Sequence, residues 1–303
     1  MEMINHIPDA DVCLVDAYNY VFASAGTCST ERFNREAFDR YRIIPKMLRD
    51  STDRDITVNL FGQKYSTPLF IAPIGVQGIV HPEAELATSR AAASVDVPLI
   101  MSSASSRSIE EVGAANGSGV RWYQLYWPKT PEITISILNR AKQAGFTALV
   151  VTLDTITIGW RPHDIDLAYL PFYHATGAAV GLSDPVFMRK YGLEPWPMGK
   201  HVEFPYDPEA LEKRAKDGDK EILTRKRIGR KWLDEVNSGE YKVWEDLKLL
   251  KDNWEGPIIL KGIQSVEDAE TAIDWVDGII VSNHGILHCS HSHLLVLLTR
   301  YLY

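Results

Sequence analysis

The chain has little cysteine: three residues in 303, at positions 13, 28 and 289. Cys13, Cys28 and Cys289 stand at no regular spacing and form no CxxC pair, so a disulfide framework is excluded and the thiols read as reduced and intracellular. With no CxxC and no HExxH, a metal site has little support. No GxGxxG is present, which removes the case for a nicotinamide Rossmann site. Long apolar runs are missing too. Leu294–Leu298, near the end, is far too short to cross a bilayer. The N-terminal MEMINHIPDADVCLVDAY is broken by charges and a proline and has no signal-type core. Basic excess is absent: the net charge of −8 argues against nucleic acid or an anionic membrane as partner. The last residues, YLY, are not a peroxisomal address. The expectation is a soluble intracellular protein, cytoplasmic rather than peroxisomal or mitochondrial.

What remains is an ordinary globular composition, 45% hydrophobic and 24% charged, sufficient for a substantial core. Residues 1–55 read as helical and polar, with FNREAFDRYRIIPKML (33–48) as the clearest amphipathic stretch. DITVNLFGQKYSTP (55–68) alternates apolar and polar around Phe61-Gly62 and predicts a hairpin. A rhythm then begins. Apolar, β-rich runs recur at PLFIAP (68–73), PLIMSS (98–103), RWYQLY (121–126), ALVVTLD (148–154), PIILKG (257–262) and GIIVSN (278–283). Helical stretches separate most of them, at 82–95, 108–116, 131–145 and 266–276. Strand and helix in alternation predict a parallel sheet, and unbroken apolar runs suit strands buried on both faces. Six units point to an α/β protein built as an incomplete (β/α)8 TIM barrel, with an open doubly wound sheet fitting the rhythm almost as well. The layout expected is N-terminal helices and a hairpin over 1–67, a partial barrel over 68–285 and an atypical tail over 286–303. The long segment 166–240, rich in proline and then in charge, follows the fourth strand. It is either a lid over the C-terminal mouth of the barrel or a surface insertion carrying a solvated helix.

In a parallel α/β barrel, active residues emerge from the C-terminal strand ends. Here those ends carry Pro73-Ile74-Gly75, Ser102-Ser103, Gln124 with Tyr126, Thr152 with Asp154, Lys261, and Ser282 with His284. A histidine titrating near neutrality can take a proton from a substrate hydroxyl or carbon. A carboxylate beside it would orient it and stabilise the imidazolium. A lysine at the electron-accepting end of a flavin would stabilise the anionic reduced ring. Small hydroxyls and an amide suit the edge of a flat heterocycle with alternating donors and acceptors.

Specific strings then accumulate in order: NYVFASAGT (19–27), IAPIGVQG (71–78), IMSSASSRSIEEV (100–112), WYQLY (122–126), VTLDTITIGWRPHD (151–164), ILKGI (259–263) and VSNHG (281–285). On these the chain resembles the FMN-dependent α-hydroxy acid oxidase/dehydrogenase family, which includes glycolate oxidase and lactate oxidase. GWRP at 159–162, with the long segment after it, is most similar to lactate 2-monooxygenase and its relatives. The resemblance implies an FMN enzyme acting on a small 2-hydroxy acid, with O2 as electron acceptor and a homo-oligomer when full length. It assigns His284 as the base, with Asp154 as its partner. Tyr20 and Tyr126 would contact the substrate carboxylate or hydroxyl, and Arg161 would sit beside the substrate. Pro73, Ile74 and Gly75 would hold the isoalloxazine with Ser102, Gln124 and Thr152; Lys261 would lie against its N1/O2 edge, with Ser282 also in the cofactor set.

The chain departs from the family pattern after Gly285. The pattern continues SNHGGRQ or SNHGARQ, and its arginine clamps the substrate carboxylate; here Leu287 stands at that position. The motifs expected on two further strands, which carry the phosphate-binding loops, do not follow. HCSHSH (288–293) has the ligand types for a metal but no second ligand group. The expectation is a chain truncated after SNHG, with its first and sixth strands unpaired, poorly stable and prone to aggregation.

Overall fold

The structure, a computed structural model, describes residues 12–22, 24–284 and 296–299. Leu287 and the histidine-rich stretch at 288–293 lie outside the described residues. Helices α1 (Val12–Phe22) and α2 (Ser29–Phe38) open the chain. Strands β1 (Val58–Leu60) and β2 (Gln63–Tyr65) pair antiparallel across Phe61-Gly62. Both turn residues have positive φ, 53° and 77°, as the tight turns whose twist matches that of a hairpin require. The expected hairpin is therefore present. The amphipathic reading of residues 33–48 needs correcting: α2 stops at Phe38, and the chain beyond it forms no regular structure and is exposed. Pro45 disfavours the helical region for Ile44 and supplies no amide hydrogen.

The alternation that follows builds the main sheet. Helix α3 (Glu85–Ser94) precedes β3 (Leu99–Ser102), α4 (Ile109–Asn116) precedes β4 (Arg121–Leu125), and α5 (Pro131–Gln143) precedes β5 (Leu149–Thr152). Helix α4 starts on a complete capping box between Ser108 and Glu111, which satisfies two otherwise orphaned amides. Residues 166–240 are largely helical: α6 (Pro162–Asp166) leads into α7 (Ala179–Leu182), α8 (Pro185–Lys190), α9 (Pro208–Lys216) and α10 (Lys220–Val236). Helix α11 (Leu247–Lys251), β6 (Ile258–Ile263), α12 (Val266–Trp275), β7 (Gly278–Val281) and β8 (Val296–Thr299) complete the order.

Strands β3 to β7 lie side by side in sequence order and run parallel. This is the expected α/β barrel sheet, left open. Two details differ from the six-strand expectation. The run at 68–73 forms no strand and contributes one parallel bridge, Ile71 to Leu99. The outer edge of β7 is paired: β8 runs antiparallel against it from Val281↔Val296 to Gly278↔Thr299. Each parallel strand is buried on both faces, as its apolar run dictates. Met101, Tyr123, Leu125, Val151 and Leu260 face the helices. Ile100, Trp122, Val150, Ile259 and Ile280 face the other way, where Tyr65 of the hairpin packs over them. The C-terminal ends of all five parallel strands are thereby held at one rim. No helix among the described residues is long and apolar enough to cross a membrane.

Candidate active site

The rim carries a connected polar cluster. His284 follows β7 in a left-handed conformation, φ 64°, with its amide donating to Ser282 Oγ at 3.0 Å. Its Nδ1 lies 2.7 Å from Asp154 Oδ1, just beyond β5, and 2.9 Å from Thr155 Oγ1. Its Nε2 lies 3.4 Å from Tyr126 Oη, just beyond β4. A carboxylate can only accept, so Asp154 fixes the proton on Nδ1 and leaves the Nε2 lone pair toward Tyr126.

Lys261 projects from β6 into the same cluster and is 7% exposed. Its Nζ stands 3.3 Å from Ser282 Oγ, 3.5 Å from His284 Nδ1 and 3.6 Å from Asp154 Oδ2. Burial lowers the Lys261 ammonium below the usual lysine range, with Asp154 opposing. Burial raises the Asp154 carboxyl, but the hydrogen bond and charge of His284 and the charge of Lys261 more than offset it and hold Asp154 below the usual carboxylate range. Gly262 makes this approach possible. It sits at the register shift of β6 with φ 110°, and a Cβ there would lie 2.7 Å from the Asp154 Cβ.

The neighbouring strand ends form a ladder. Gln124 Nε2 donates to Thr152 Oγ1 at 2.8 Å, and Gln124 Oε1 accepts from Ser103 N at 3.1 Å. Ser103 Oγ accepts from Tyr126 N at 2.8 Å, and Ser102 Oγ accepts from Ala104 N at 3.1 Å.

Across the opening, α1 and α6 meet. Arg161 donates from Nη2 to the Tyr20 carbonyl at 2.7 Å, lies over the Tyr20 ring at 4.6 Å, and pairs through Nε with Asp164 Oδ2 at 2.7 Å. Burial pushes Asp164 up to about 6 although Arg161 opposes it. Burial also raises the Tyr20 and Tyr126 phenols, so both stay protonated donors. Between these groups opens a cavity of about 200 Å³ lined by Tyr20, Tyr126, Arg161, His284 and the backbone at 73–76. Helix α10 closes one side with Trp232, Leu233 and Val236.

The structure thus brings the residues expected to hold cofactor and substrate together around one opening. Tyr20, Pro73, Ile74, Gly75, Ser102, Tyr126, Arg161 and His284 line the cavity, while Gln124, Thr152, Asp154, Lys261 and Ser282 stand behind that lining. Sequence reasoning missed Thr155, Asp164 and the wall from α10. Asp164 was detectable: it stands three residues after Arg161, within reach on one helical turn. Thr155 had no signal beyond its place next to Asp154.

Comparison with known proteins bears on this geometry. The family described as FMN-dependent dehydrogenase matches residues 11–297. The chain belongs to that family. An FMN-dependent alpha-hydroxy acid dehydrogenase of Penicillium citrinum is 42% identical over 270 residues, covering 89% of this chain and 61% of the relative. The L-lactate oxidase of Lysinibacillus sphaericus is 37% identical over 269 residues, covering 88% and 62%. A mandelate oxidase crystal structure superposes with a TM-score of 0.66 at 28% identity, covering 93% of this chain and 65% of that one. The chain therefore spans a little over three fifths of the length of these relatives.

The residues present suit the family's cofactor. A buried amide, a hydroxyl and a cation at adjacent strand ends match a flat ring edge of alternating donors and acceptors. The buried ammonium, with only partial compensation from Asp154, suits a site where negative charge develops.

Proposed function

We propose that this family member oxidises a small L-2-hydroxy acid, of the lactate or glycolate type, to its 2-oxo acid or the decarboxylated product, with FMN as cofactor. One observation carries the reading: the His284–Asp154 pair presents Nε2 to a cavity that also holds Arg161, Tyr20 and Tyr126. Pro73, Ile74, Gly75, Ser102, Gln124, Thr152, Lys261 and Ser282 would hold FMN, which supplies a two-electron acceptor when bound. His284 accepts a proton from the substrate at Nε2, and Asp154 stabilises the resulting imidazolium. Arg161 attracts the substrate carboxylate while Asp164 and the Tyr20 carbonyl fix its plane. The Tyr20 and Tyr126 phenols donate to substrate oxygens. Lys261 offsets negative charge behind the cavity, and α10 acts as a lid that excludes water.

Several finer statements belong to the same proposal. O2 is the electron acceptor, the full-length protein is a homo-oligomer, and the subfamily is that of lactate 2-monooxygenase. The GWRP string and the segment after it support the last. A second reading, a catalytically silent fragment, is favoured by Leu287, which cannot replace a guanidinium. One experiment separates the two. The purified chain is mixed with FMN, freed of excess, and its visible spectrum recorded before and after anaerobic L-lactate or glycolate. A retained flavin that bleaches supports the oxidase. No retained flavin, or a flavin that neither acid bleaches, supports the silent fragment.

A further inference from the structure

Away from the proton-transfer cluster, one buried carboxylate has no part in the chemistry above. Glu85, the first residue of α3, is 3% exposed. Its Oε1 accepts from two backbone amides at once, Gln77 N at 3.1 Å and Ser106 N at 2.9 Å. Its Oε2 is buried without a hydrogen-bond partner among the described residues. Burial raises the carboxyl above its usual range, against the two amides, its own backbone N–H and the nearby Arg107 charge.

The two amides belong to different loops. Gln77 lies on the loop that follows the Ile71 bridge, and Ser106 on the loop that leaves β3. Those loops form one wall of the cavity, through Gly75, Val76, Ser103 and Ala104. Their contact is close. Val76 N donates to the Ala104 carbonyl at 2.9 Å, and Gly78 N donates to Ser106 Oγ at 3.0 Å. A Cβ on Gly75 would fall 2.8 Å from the Ala104 carbonyl oxygen, so the loops have no slack there. The side chain of Gln77 extends the same fixture, donating to the Ile74 carbonyl at 3.0 Å and accepting from Thr88 Oγ1 at 2.6 Å.

For stability alone, a buried carboxyl with one idle oxygen is an expensive way to fill this space. Alignment explains it. A single acceptor shared by two donors fixes their separation, which apolar packing does not do. We propose that Glu85 is a positioning residue: its Oε1 is the shared acceptor that locks the 73–79 loop against the 102–106 loop, and so sets the shape of the FMN-facing wall. The lock follows from the geometry; its link to FMN rests on the functional reading above.

The test compares Glu85→Gln, which keeps an acceptor oxygen of the same reach, with Glu85→Leu, which removes it. Amide hydrogen exchange is followed at Gln77 and Ser106 in the chain without FMN. FMN affinity is measured separately by quenching of flavin fluorescence. In Glu85→Leu both amides should lose about tenfold in protection and FMN affinity should fall about tenfold, the equilibrium equivalent of leaving a buried amide unsatisfied. Glu85→Gln should restore both to within about twofold. If Glu85→Leu does not fold, Glu85→Asp replaces it: the shorter side chain cannot reach both amides and should lose protection at one of them. Equal protection in Glu85→Gln and in Glu85→Leu, or in Glu85→Asp where it replaces Glu85→Leu, overturns the proposal. Lost protection with unchanged FMN affinity also overturns it, since the clamp would then not shape the wall. Should the unaltered chain bind no FMN, the functional reading fails, and exchange alone decides the clamp.

Discussion

His284 reaches the cavity from a left-handed backbone position that a non-glycine residue rarely holds. The Ser282 hydroxyl holds its amide and the Asp154 carboxylate holds its ring. A left-handed residue held by such partners is consistent with the base role proposed for His284. His284→Gln is therefore expected to lower substrate-dependent flavin bleaching by about 10²–10⁴-fold while leaving FMN retention unchanged, as stopped-flow absorbance would show. Asp154 makes a different prediction. Its folded value is depressed by His284 and Lys261, so the stability it contributes is present above the unfolded value of about 4 and is lost as pH falls through the folded value. Urea midpoints should drop on acidification, and Asp154→Asn should flatten that drop. The grouping of the strand-end residues was legible because each follows an apolar run, whereas Tyr20 and Arg161 sit on no strand and came from the family resemblance alone. Glu85 was not legible. In PEAELATSRAAASV it reads as an ordinary first-turn acid, and only the return of two distant loops reveals its burial.

Helices α3, α4, α5 and α12 fall within the stretches their periodicity marked out; Ser108 and Ser265 cap α4 and α12, and Pro131 opens α5. The elements that escaped prediction depend on distant partners. The run at 68–73 is apolar like the strands that follow, yet it keeps one bridge to β3, and residues 73–79 turn away to build the cavity wall. The charge-rich part of 166–240 conceals a buried stripe: Ile222, Ile228 and Trp232 of α10 are all within 1% of full burial. Trp232 lies so close to α7 that a Cβ on Gly181 would meet its ring. Gly181→Ala should accordingly destabilise the chain by about 1–3 kcal/mol, measured by chemical denaturation. This region also holds a clasp. His174 Nδ1 is 2.7 Å from Tyr206 Oη, and Nε2 is 2.7 Å from Glu212 Oε1, which also meets Lys226. Burial depresses His174, with Glu212 opposing and Lys226 and Arg225 adding to the shift. The folded state therefore favours the neutral imidazole. That stability is complete above the unfolded value of about 6.5 and declines as pH falls toward the folded value. Tryptic cleavage between Lys213 and Arg230, normalised to a peptide control, should accelerate on acidification from about pH 7.5 to 5.5.

At the scale of the whole molecule, the core lies on both faces of an open sheet. The most exposed stretch follows α2: Tyr41, Ile43, Ile44 and Leu48 are 78%, 95%, 88% and 104% exposed. Contiguous apolar surface of this kind drives association. Sedimentation velocity should show concentration-dependent self-association, and Ile43→Lys with Ile44→Lys should weaken it without altering far-ultraviolet circular dichroism. The expectation of a weak, aggregation-prone chain is checked by the same preparation: a cooperative thermal transition from a soluble monomer would contradict it. Pairing of β7 with β8 covers one edge that the sequence reading left bare.

Gly262 does not line the cavity beside His284, yet the space it leaves vacant is where Asp154 stands. A saturation scan scored by turnover would mark it as intolerant as His284, and the strained φ of 110° would make a scan scored by solubility mark it too, though less steeply. Turnover lost beyond what the loss of solubility explains would read out the backbone's share in placing Asp154. It would also tell a protein engineer which position to leave alone when altering the substrate.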